Sequence, residues 1–341
     1  MDALHPTLDD LGYTAHFSAQ VSAQDELTCL PVRVMAVHRG MLAVAGADLE
    51  GMVPSHLASS TGEEDRPTVG DWLLIDRASH EPVRILDRAS LFKRRAPGHD
   101  RALQLVAANV DTLFIVASCN QDFNVARLER YLVLAREVGV RPVVVLTKID
   151  LADTPERFRD AAQALEPGLQ VECVNARDPA SVARLAALCG KGQTVALLGS
   201  SGVGKSTLVN TLRGSDSILT QAVREQDGKG RHTTTVREMH RLDRGGWLMD
   251  TPGMREFQLS DTATGLAEVF DDIVALTLDC RFTNCTHVAE PDCAIRDALA
   301  AGTLTADRLQ RWTKLTLEDD TNTGALAQRR ARARPAARKG K

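Results

Sequence analysis

The sequence predicts an α/β fold of parallel strands each followed by a helix, and three short strings with their order along the 341 residues carry that prediction. The strings are T-K-I-D at Thr147 to Asp150, G-S-S-G-V-G-K-S at Gly199 to Ser206, and D-T-P-G at Asp250 to Gly253. They have the chemistry of a base reader, a phosphate cradle and a magnesium-side switch. In a Ras-like domain the phosphate loop comes first and the base reader near the end. Here the base reader precedes the loop, so the fold class is a circularly permuted P-loop GTPase domain with its termini in new places.

Taken in chain order, the residues before about Ser22 read as a loosely held arm. Segments at Leu30 to Val37, Met41 to Ala45, Val69 to Ile75 and Pro82 to Leu86 read as short strands, separated by turns and by a polar loop from Ser59 to Thr68. Such strands suggest a small barrel whose type the residues leave open. Around Ala96 to Arg101 the composition shifts to turn-formers, a sensible boundary. Asp111 to Ala117 then begins the α/β alternation, with Val125 to Glu137 as a crossover helix.

The β-branched run Pro142 to Leu146 places Thr147, Lys148, Ile149 and Asp150 at a strand's C-terminal edge, where open α/β sheets bind ligands. The Asp150 carboxylate can accept two hydrogen bonds from the N1–H and exocyclic amine of guanine, a donor pair that adenine lacks. Lys148 would lie along the base plane, and Thr147 stands where Asn is more familiar. Taken alone, T-K-I-D is equally a charged loop after a strand; coupled to the phosphate loop it becomes the base reader. A short strand at Leu169 to Val174 ends in Asn175-Ala176, a weak match to the Ser-Ala whose backbone faces guanine O6.

Gln193 to Leu198 reads as a buried strand and Leu208 to Leu212 as the start of a helix, so the loop between is the strand-to-helix turn that the phosphate motif requires. Gly199, Gly202 and Gly204, with Ser200, Ser201 and Val203 between them, let backbone N–H groups converge on phosphate oxygens at a helix N-terminus. Lys205 would reach the β- and γ-phosphates, and the Ser206 hydroxyl, followed by Thr207, would ligate Mg²⁺. Downstream, a strand at Gly246 to Met249 leads into Asp250, which would hold Mg²⁺, while the Gly253 N–H would contact the γ-phosphate. Met254 follows where Ras-like enzymes place the water-orienting Gln, and a thioether cannot do that work. Between lies G-K-G-R-H-T-T-T, where Thr233, Thr234 or Thr235 should close over Mg²⁺. His232 is the nearest titratable candidate for positioning water, although a lone loop His is more often solvated.

After about Ser260 the pattern becomes helical, at Leu266 to Leu278, Ala294 to Ala301 and Ala306 to Leu317. Cys280, Cys285, His287 and Cys293 form C-x4-C-x-H-x5-C, a donor set suited to a closed tetrahedral Zn²⁺ site with no open position for catalysis. Cysteines 29, 119, 173 and 189 stand singly in apolar surroundings, as reduced core thiols do. The tail from Arg329 to Lys341 carries no acid and reads equally as an RNA-phosphate binder or a solubilising extension, disordered in isolation.

With these motifs the chain resembles the RsgA (YjeQ) family of ribosome-small-subunit-dependent, circularly permuted GTPases, from about Val32 to Leu317. The resemblance includes V-G-D-W at Val69 to Trp72, S-L-F-K-R-R at Ser90 to Arg95, A-A-N-V-D at Ala107 to Asp111, D-F-N-V-A-R-L-E-R-Y-L at Asp122 to Leu132, G-R-H-T-T-T at Gly230 to Thr235 and the cysteine cluster. It implies an N-terminal OB-fold β-barrel, the permuted GTPase domain and a C-terminal helical zinc-binding domain; the boundaries read from the residues put these at 22–97, 98–259 and 260–320, between an arm at 1–21 and a basic disordered tail at 321–341. It also implies late maturation of the small (30S) subunit through its 16S rRNA, GTP hydrolysis to GDP stimulated by that particle, and help in releasing another assembly factor.

Composition agrees. No apolar run approaches a membrane span, and the acidic start lacks the n- and h-regions of a signal peptide, so a cytoplasmic, monomeric protein without membrane partners is expected. A net charge of −4 does not advertise a nucleic-acid binder, but local patches such as Lys93-Arg94-Arg95 are hidden by the sum. Two other readings remain: a GTP-gated rRNA-binding module with negligible hydrolysis, since Met254 removes the usual water orienter, and an ATP-dependent phosphotransferase, which leaves Asp150 without a job.

Overall fold

The computed structural model describes residues 6–47, 49–57, 62, 64–95, 103–214, 237–250 and 262–333. It divides into two compact units, one drawn from Met1–Val125 and Val138–Phe257, the other from Ala126–Glu137 and Gln258–Lys341.

In the first unit the N-terminal segment forms two short helices, α1 (Ala15–Ser18) and α2 (Ala23–Thr28). A capping box starts α2: the Ser22 hydroxyl accepts from the Asp25 N–H while the Asp25 carboxylate accepts from the Ser22 N–H. Five strands follow, β1 (Cys29–Val37), β2 (Met41–Ala45), β3 (Glu50–Pro54), β4 (Trp72–Asp76) and β5 (Pro82–Ile85), paired antiparallel in the order β5-β4-β1-β2-β3. β1 pairs β4 along its first half and β2 along its second, with a bulge between Val34 and Ala36 that bends it. One long bent strand shared by two partners is what a five-stranded, partly open OB barrel needs. Alternate residues Val32, Val34, Leu42, Val44, Val53, Leu73 and Ile75 fill its core.

The expected strand Val69 to Ile75 begins later, at Trp72, because Gly70 and Asp71 are used in a turn: a Cβ on Gly70, at φ +89, would fall 2.2 Å from the Ala108 carbonyl. The boundary expected near Ala96 to Arg101 falls outside the described residues, and the strands on its two sides, β6 (Leu91–Arg95) and β7 (Leu103–Ala108), pair with each other. From residue 6 on, the arm is not loosely held. Leu11 and Phe17 are buried, and Tyr13 packs edge-on against Trp72 at 4.8 Å.

Parallel strands β8 (Thr112–Ser118), β9 (Arg141–Thr147), β10 (Gln170–Cys173), β11 (Thr194–Leu198) and β13 (Trp247–Asp250), with antiparallel β12 (Arg237–Arg241), form the order β10-β9-β8-β11-β13-β12. β8 and β9 are buried along nearly their whole length, as central parallel strands must be. Helices α4 (Pro155–Gln163), α5 (Pro179–Ala187) and α6 (Lys205–Arg213) also belong to this unit. Leu208, Val209 and Leu212 of α6 join Val182, Leu185, Val195 and Leu248 in one core.

The second unit contains α3 (Val125–Glu137, from Ala126), α7 (Ala263–Val269), α8 (Asp271–Leu278), α9 (Ala294–Ala301) and α10 (Ala306–Ala333). The single helix expected over Leu266 to Leu278 is broken at Phe270, which is wholly buried beneath the Arg308 guanidinium at 4.7 Å. α10 runs well past Leu317 to Ala333, so part of the expected disordered tail is helical; residues 334–341 lie outside the described residues. A helical Glu129, completely buried, accepts from Arg308 at 3.0 Å and Arg311 at 2.6 Å, and Arg308 also holds Asp272. α7 approaches α3 so closely that a Cβ on Gly265 would meet the Val133 carbonyl at 2.1 Å.

Candidate nucleotide site and metal centre

The phosphate loop leaves β11, which lies between β8 and β13, and enters α6. Gly199 is required by space: a Cβ there would be 2.3 Å from the Val116 carbonyl on β8. Gly204 caps α6 in the left-handed region at φ +95, a conformation that costs a side-chain-bearing residue but lets the first helical N–H groups face outward. Lys205 Nζ donates to the Gly199 carbonyl at 2.7 Å and to the Ser200 carbonyl, so its ammonium curls over the loop it follows. Ser206 and Thr207, half-buried, begin the first turn of α6.

Two strands away, β9 delivers the tetrapeptide Thr147 to Asp150, expected from its sequence to read the base. Thr147 is fully buried, and its hydroxyl lies 2.5 Å from the Val203 carbonyl of the phosphate loop and 3.2 Å from the Ala117 carbonyl of β8. Lys148 takes a left-handed φ of +58 and opens a single 3-10 turn, Ile149–Leu151, that projects Asp150 into solvent. This is the geometry a carboxylate needs to meet a base edge from outside the sheet.

Asn175 and Ala176 join the same rim. The Asn175 N–H donates to Ser181 Oγ at 2.9 Å, its side-chain oxygen accepts from the Arg177 N–H, and the Ala176 carbonyl accepts from Thr211 Oγ1 of α6 at 2.6 Å. Ser181 and Thr211 were missed by sequence reasoning. Each lies in an ordinary helical position, and nothing local marks a hydroxyl that grips a loop elsewhere in the chain.

β13 ends at Asp250 beside the phosphate-loop strand, so the backbone of the D-x-x-G segment starts on the correct edge. The Asp250 side chain, His232, Thr233, Thr234, Thr235 and Gly253 lie outside the described residues. The site residues that are described, Thr147 to Asp150, Asn175, Ala176 and Gly199 to Thr207, come together at the C-terminal ends of β9, β10 and β11.

In the second unit Cys280, Cys285, His287 and Cys293 converge with all four ligand atoms within 4.8 Å of one another. His287 Nδ1 is 3.6 Å from Cys280 Sγ and 3.5 Å from Cys293 Sγ, and these two sulfurs are 4.0 Å apart. Bond lengths of about 2.3 Å to sulfur and 2.0 Å to nitrogen put tetrahedral edges at roughly 3.5 to 3.8 Å, so the donor set is compatible with Zn²⁺ after a contraction of at most about 1 Å. Glu290 ties the intervening loop by accepting from the Thr286 N–H and hydroxyl, which holds its carboxyl at about 2, below the usual range. Among the described residues no helix is long and apolar enough to cross a membrane.

Comparison with known proteins agrees with this geometry. The family described as RsgA GTPase matches residues 85–260. A Mesorhizobium japonicum protein named small ribosomal subunit biogenesis GTPase RsgA is 49% identical over 98% of this chain and 96% of its own length. A Vibrio parahaemolyticus protein named small ribosomal subunit biogenesis GTPase RsgA 2 is 45% identical, covering 96% of this chain and 90% of that protein. Among solved structures, YjeQ from Thermotoga maritima superposes with a TM-score of 0.60 at 23% identity, over 85% of this chain and 98% of that one. YloQ, described as a circularly permuted GTPase, gives 0.57 at 23% identity over 85% and 94%. At that identity the two structures speak for the fold.

Proposed function

This chain belongs to the RsgA GTPase family, and on that premise we propose how its own residues bind and cleave the nucleotide. The protein is a GTPase of small ribosomal subunit biogenesis. Water attacks the γ-phosphorus as the bond to the β–γ bridging oxygen breaks; the electron pair leaves on GDP and the water's protons pass to phosphate and solvent.

In this reading the backbone from Gly199 to Gly204 cradles the phosphates, and Lys205 swings from the Gly199 and Ser200 carbonyls to the β- and γ-oxygens. Asp150 selects guanine, Lys148 lines the base, and Asn175-Ala176 approaches its O6 side. Mg²⁺ accompanies GTP and neutralises phosphate charge when bound; Ser206 and Asp250 would hold it, with one of Thr233 to Thr235 and Gly253 near the γ-phosphate. His232 is the residue we assign to water positioning, because Met254 cannot orient water. Cys280, Cys285, His287 and Cys293 would hold one structural Zn²⁺, which fixes the loop between α8 and α9 and offers no open position to substrate. The small subunit and its 16S rRNA are the partners, with release of another assembly factor, a monomeric state and the cytoplasm completing the proposal.

One observation carries the nucleotide reading: the Thr147 hydroxyl on the Val203 carbonyl joins base reader and phosphate loop, 56 positions apart in sequence, into one site. Multiple-turnover assays with GTP and ATP, with and without purified small subunits, test it. GTP-selective turnover that rises with subunits is expected; ATP preference, or turnover indifferent to subunits, would overturn it.

A further inference from the structure

Arg33, on the barrel strand β1, is only 1% exposed and has no carboxylate within salt-bridge distance among the described residues. Its guanidinium instead serves three segments remote in sequence. One terminal nitrogen donates to the Leu11 carbonyl of the arm at 2.5 Å; the other donates to the Asn109 carbonyl at 3.1 Å and to Thr194 Oγ1 at 2.8 Å. Thr194 is the first residue of β11, the strand that ends in the phosphate loop.

The remaining polar groups of Thr194 are also committed. Its N–H donates to Asp111 Oδ2 at 2.7 Å and its carbonyl accepts from the Asp111 N–H at 2.9 Å. The arm grips the neighbouring starts as well: the Asp10 carbonyl accepts from Trp247 Nε1 at 2.7 Å, at the first residue of β13, and Asp10 pairs with Lys191 at 3.2 Å. Gly12 and Gly192 touch so closely that a Cβ on Gly12 would lie 2.5 Å from the Gly192 carbonyl. The two strands that carry the phosphate loop and the D-x-x-G segment are therefore held, at their opposite ends, by the barrel and the arm.

Burying a full charge among neutral acceptors is costly, and a Leu or Met would fill the same barrel position without that cost. Desolvation lowers the Arg33 pKa to about 10 and the fields of Asp111 and Asp71 oppose that, so the guanidinium stays charged at neutral pH. What an apolar residue could not supply is a directional bond fixing β11 against the barrel.

We propose that Arg33 is a positioning residue that conveys the seating of the barrel on its RNA partner to the phosphate-loop strand through Thr194. The proposal rests on the reading above that small-subunit rRNA is the partner, and takes the barrel as the part that meets it, because OB barrels bind oligonucleotides through a strand face and the neighbouring loops. A rigid strand of five residues transmits an axial shift at its start to the loop at its end, roughly 16 Å away. By linkage, nucleotide state must change subunit affinity by the factor through which the subunit changes nucleotide affinity.

The test uses the full-length protein and compares small-subunit affinity with a non-hydrolysable GTP analogue and with GDP, in wild type, Arg33→Met, Arg33→Lys and Thr194→Val. Thr194→Val removes one acceptor in a near-isosteric side chain and guards against an Arg33 variant that does not fold; thermal midpoints are recorded for all four. The expected result is that the ratio of the two affinities falls by about tenfold in Arg33→Met and Thr194→Val, the worth of one charge-assisted hydrogen bond, with partial recovery in Arg33→Lys. A ratio unchanged in Thr194→Val, while wild type shows one, overturns the role of Arg33 alone. A wild-type ratio of one together with turnover indifferent to subunits overturns the functional reading and this inference with it.

Discussion

Thr147 shows what a single hydroxyl can decide. It has one proton for two carbonyl acceptors, and the shorter contact is to Val203 of the phosphate loop, so the hydroxyl ties two loops together rather than facing the base. Thr147→Val should therefore weaken GTP-analogue binding by about tenfold without changing the preference for GTP over ATP, and Thr147→Ser should restore most of it. Asp150 carries the opposite role. Replacing it with Asn exchanges an acceptor for a donor at the base edge, so Asp150→Asn should bind xanthosine triphosphate better than GTP in direct competition.

Asp10 gives a pH dependence with a defined sign. Bonds from Thr7, and then Lys191, hold its carboxyl at about 2 against an ordinary 3.8. A depressed folded-state pKa means that the contribution is complete above about 4 and is lost as pH falls from there through about 2. Amide exchange at residues 7–13 should accelerate across that window in the wild type and be already fast at neutral pH in Asp10→Asn.

Among the elements, α3 follows β8 and precedes β9 in the chain, yet it belongs to the second unit and its side chains pair there. Glu129 is the centre of that packing, between Arg308 and Arg311, with Arg130 on Glu318 and the Gly265 N–H on Glu137 beside it. Glu129→Gln leaves two guanidiniums facing a neutral amide and should destabilise the second unit by about 3 kcal/mol, read as a lowered denaturation midpoint. A shift within a few tenths of that of a surface control would show that the network is dispensable.

These elements also mark where sequence ran out. Most parallel strands were legible as continuous apolar runs bounded by turn-formers, β10 by its alternation of apolar and polar residues from Leu169 to Val174, and α3 by its apolar periodicity. β3, β6 and β7 were not: Glu50–Pro54 lacks a strand composition, and β6 ends in three cations, so pairing with a neighbour decides their conformation. The break at Phe270 was hidden because a ring buried under Arg308 and a helical Phe look alike in sequence.

For the whole molecule, the metal centre is the simplest handle. Chelation or Cys285→Ser should loosen the second unit, seen as a loss of its cooperative melting, while GTP-analogue binding by the first unit persists. Simultaneous loss of both would mean that nucleotide binding depends on the metal. V-G-D-W and A-A-N-V-D take on meaning only at this scale: the Asn109 amide donates to the Gly70 carbonyl and its oxygen accepts from the Ala89 N–H, while Asp71 holds Arg88 through two bonds. They are joints between barrel and sheet rather than parts of the nucleotide site.

The chemistry was legible in the residues alone: the glycines and lysine of the phosphate loop, the carboxylate proposed to read guanine, three thiolates and an imidazole at metal spacing, and the permuted order of these parts. Such motifs are legible because each is local, a few residues whose backbone freedom and donor types suffice for the task. What joins them emerges from long-range packing: the seating of the arm, the assignment of α3 to the second unit, the turn of Thr147 toward the phosphate loop and the burial of Arg33 against the start of β11. These depend on partners far away in sequence, and a hydroxyl or a guanidinium carries no mark of which distant carbonyl it will find.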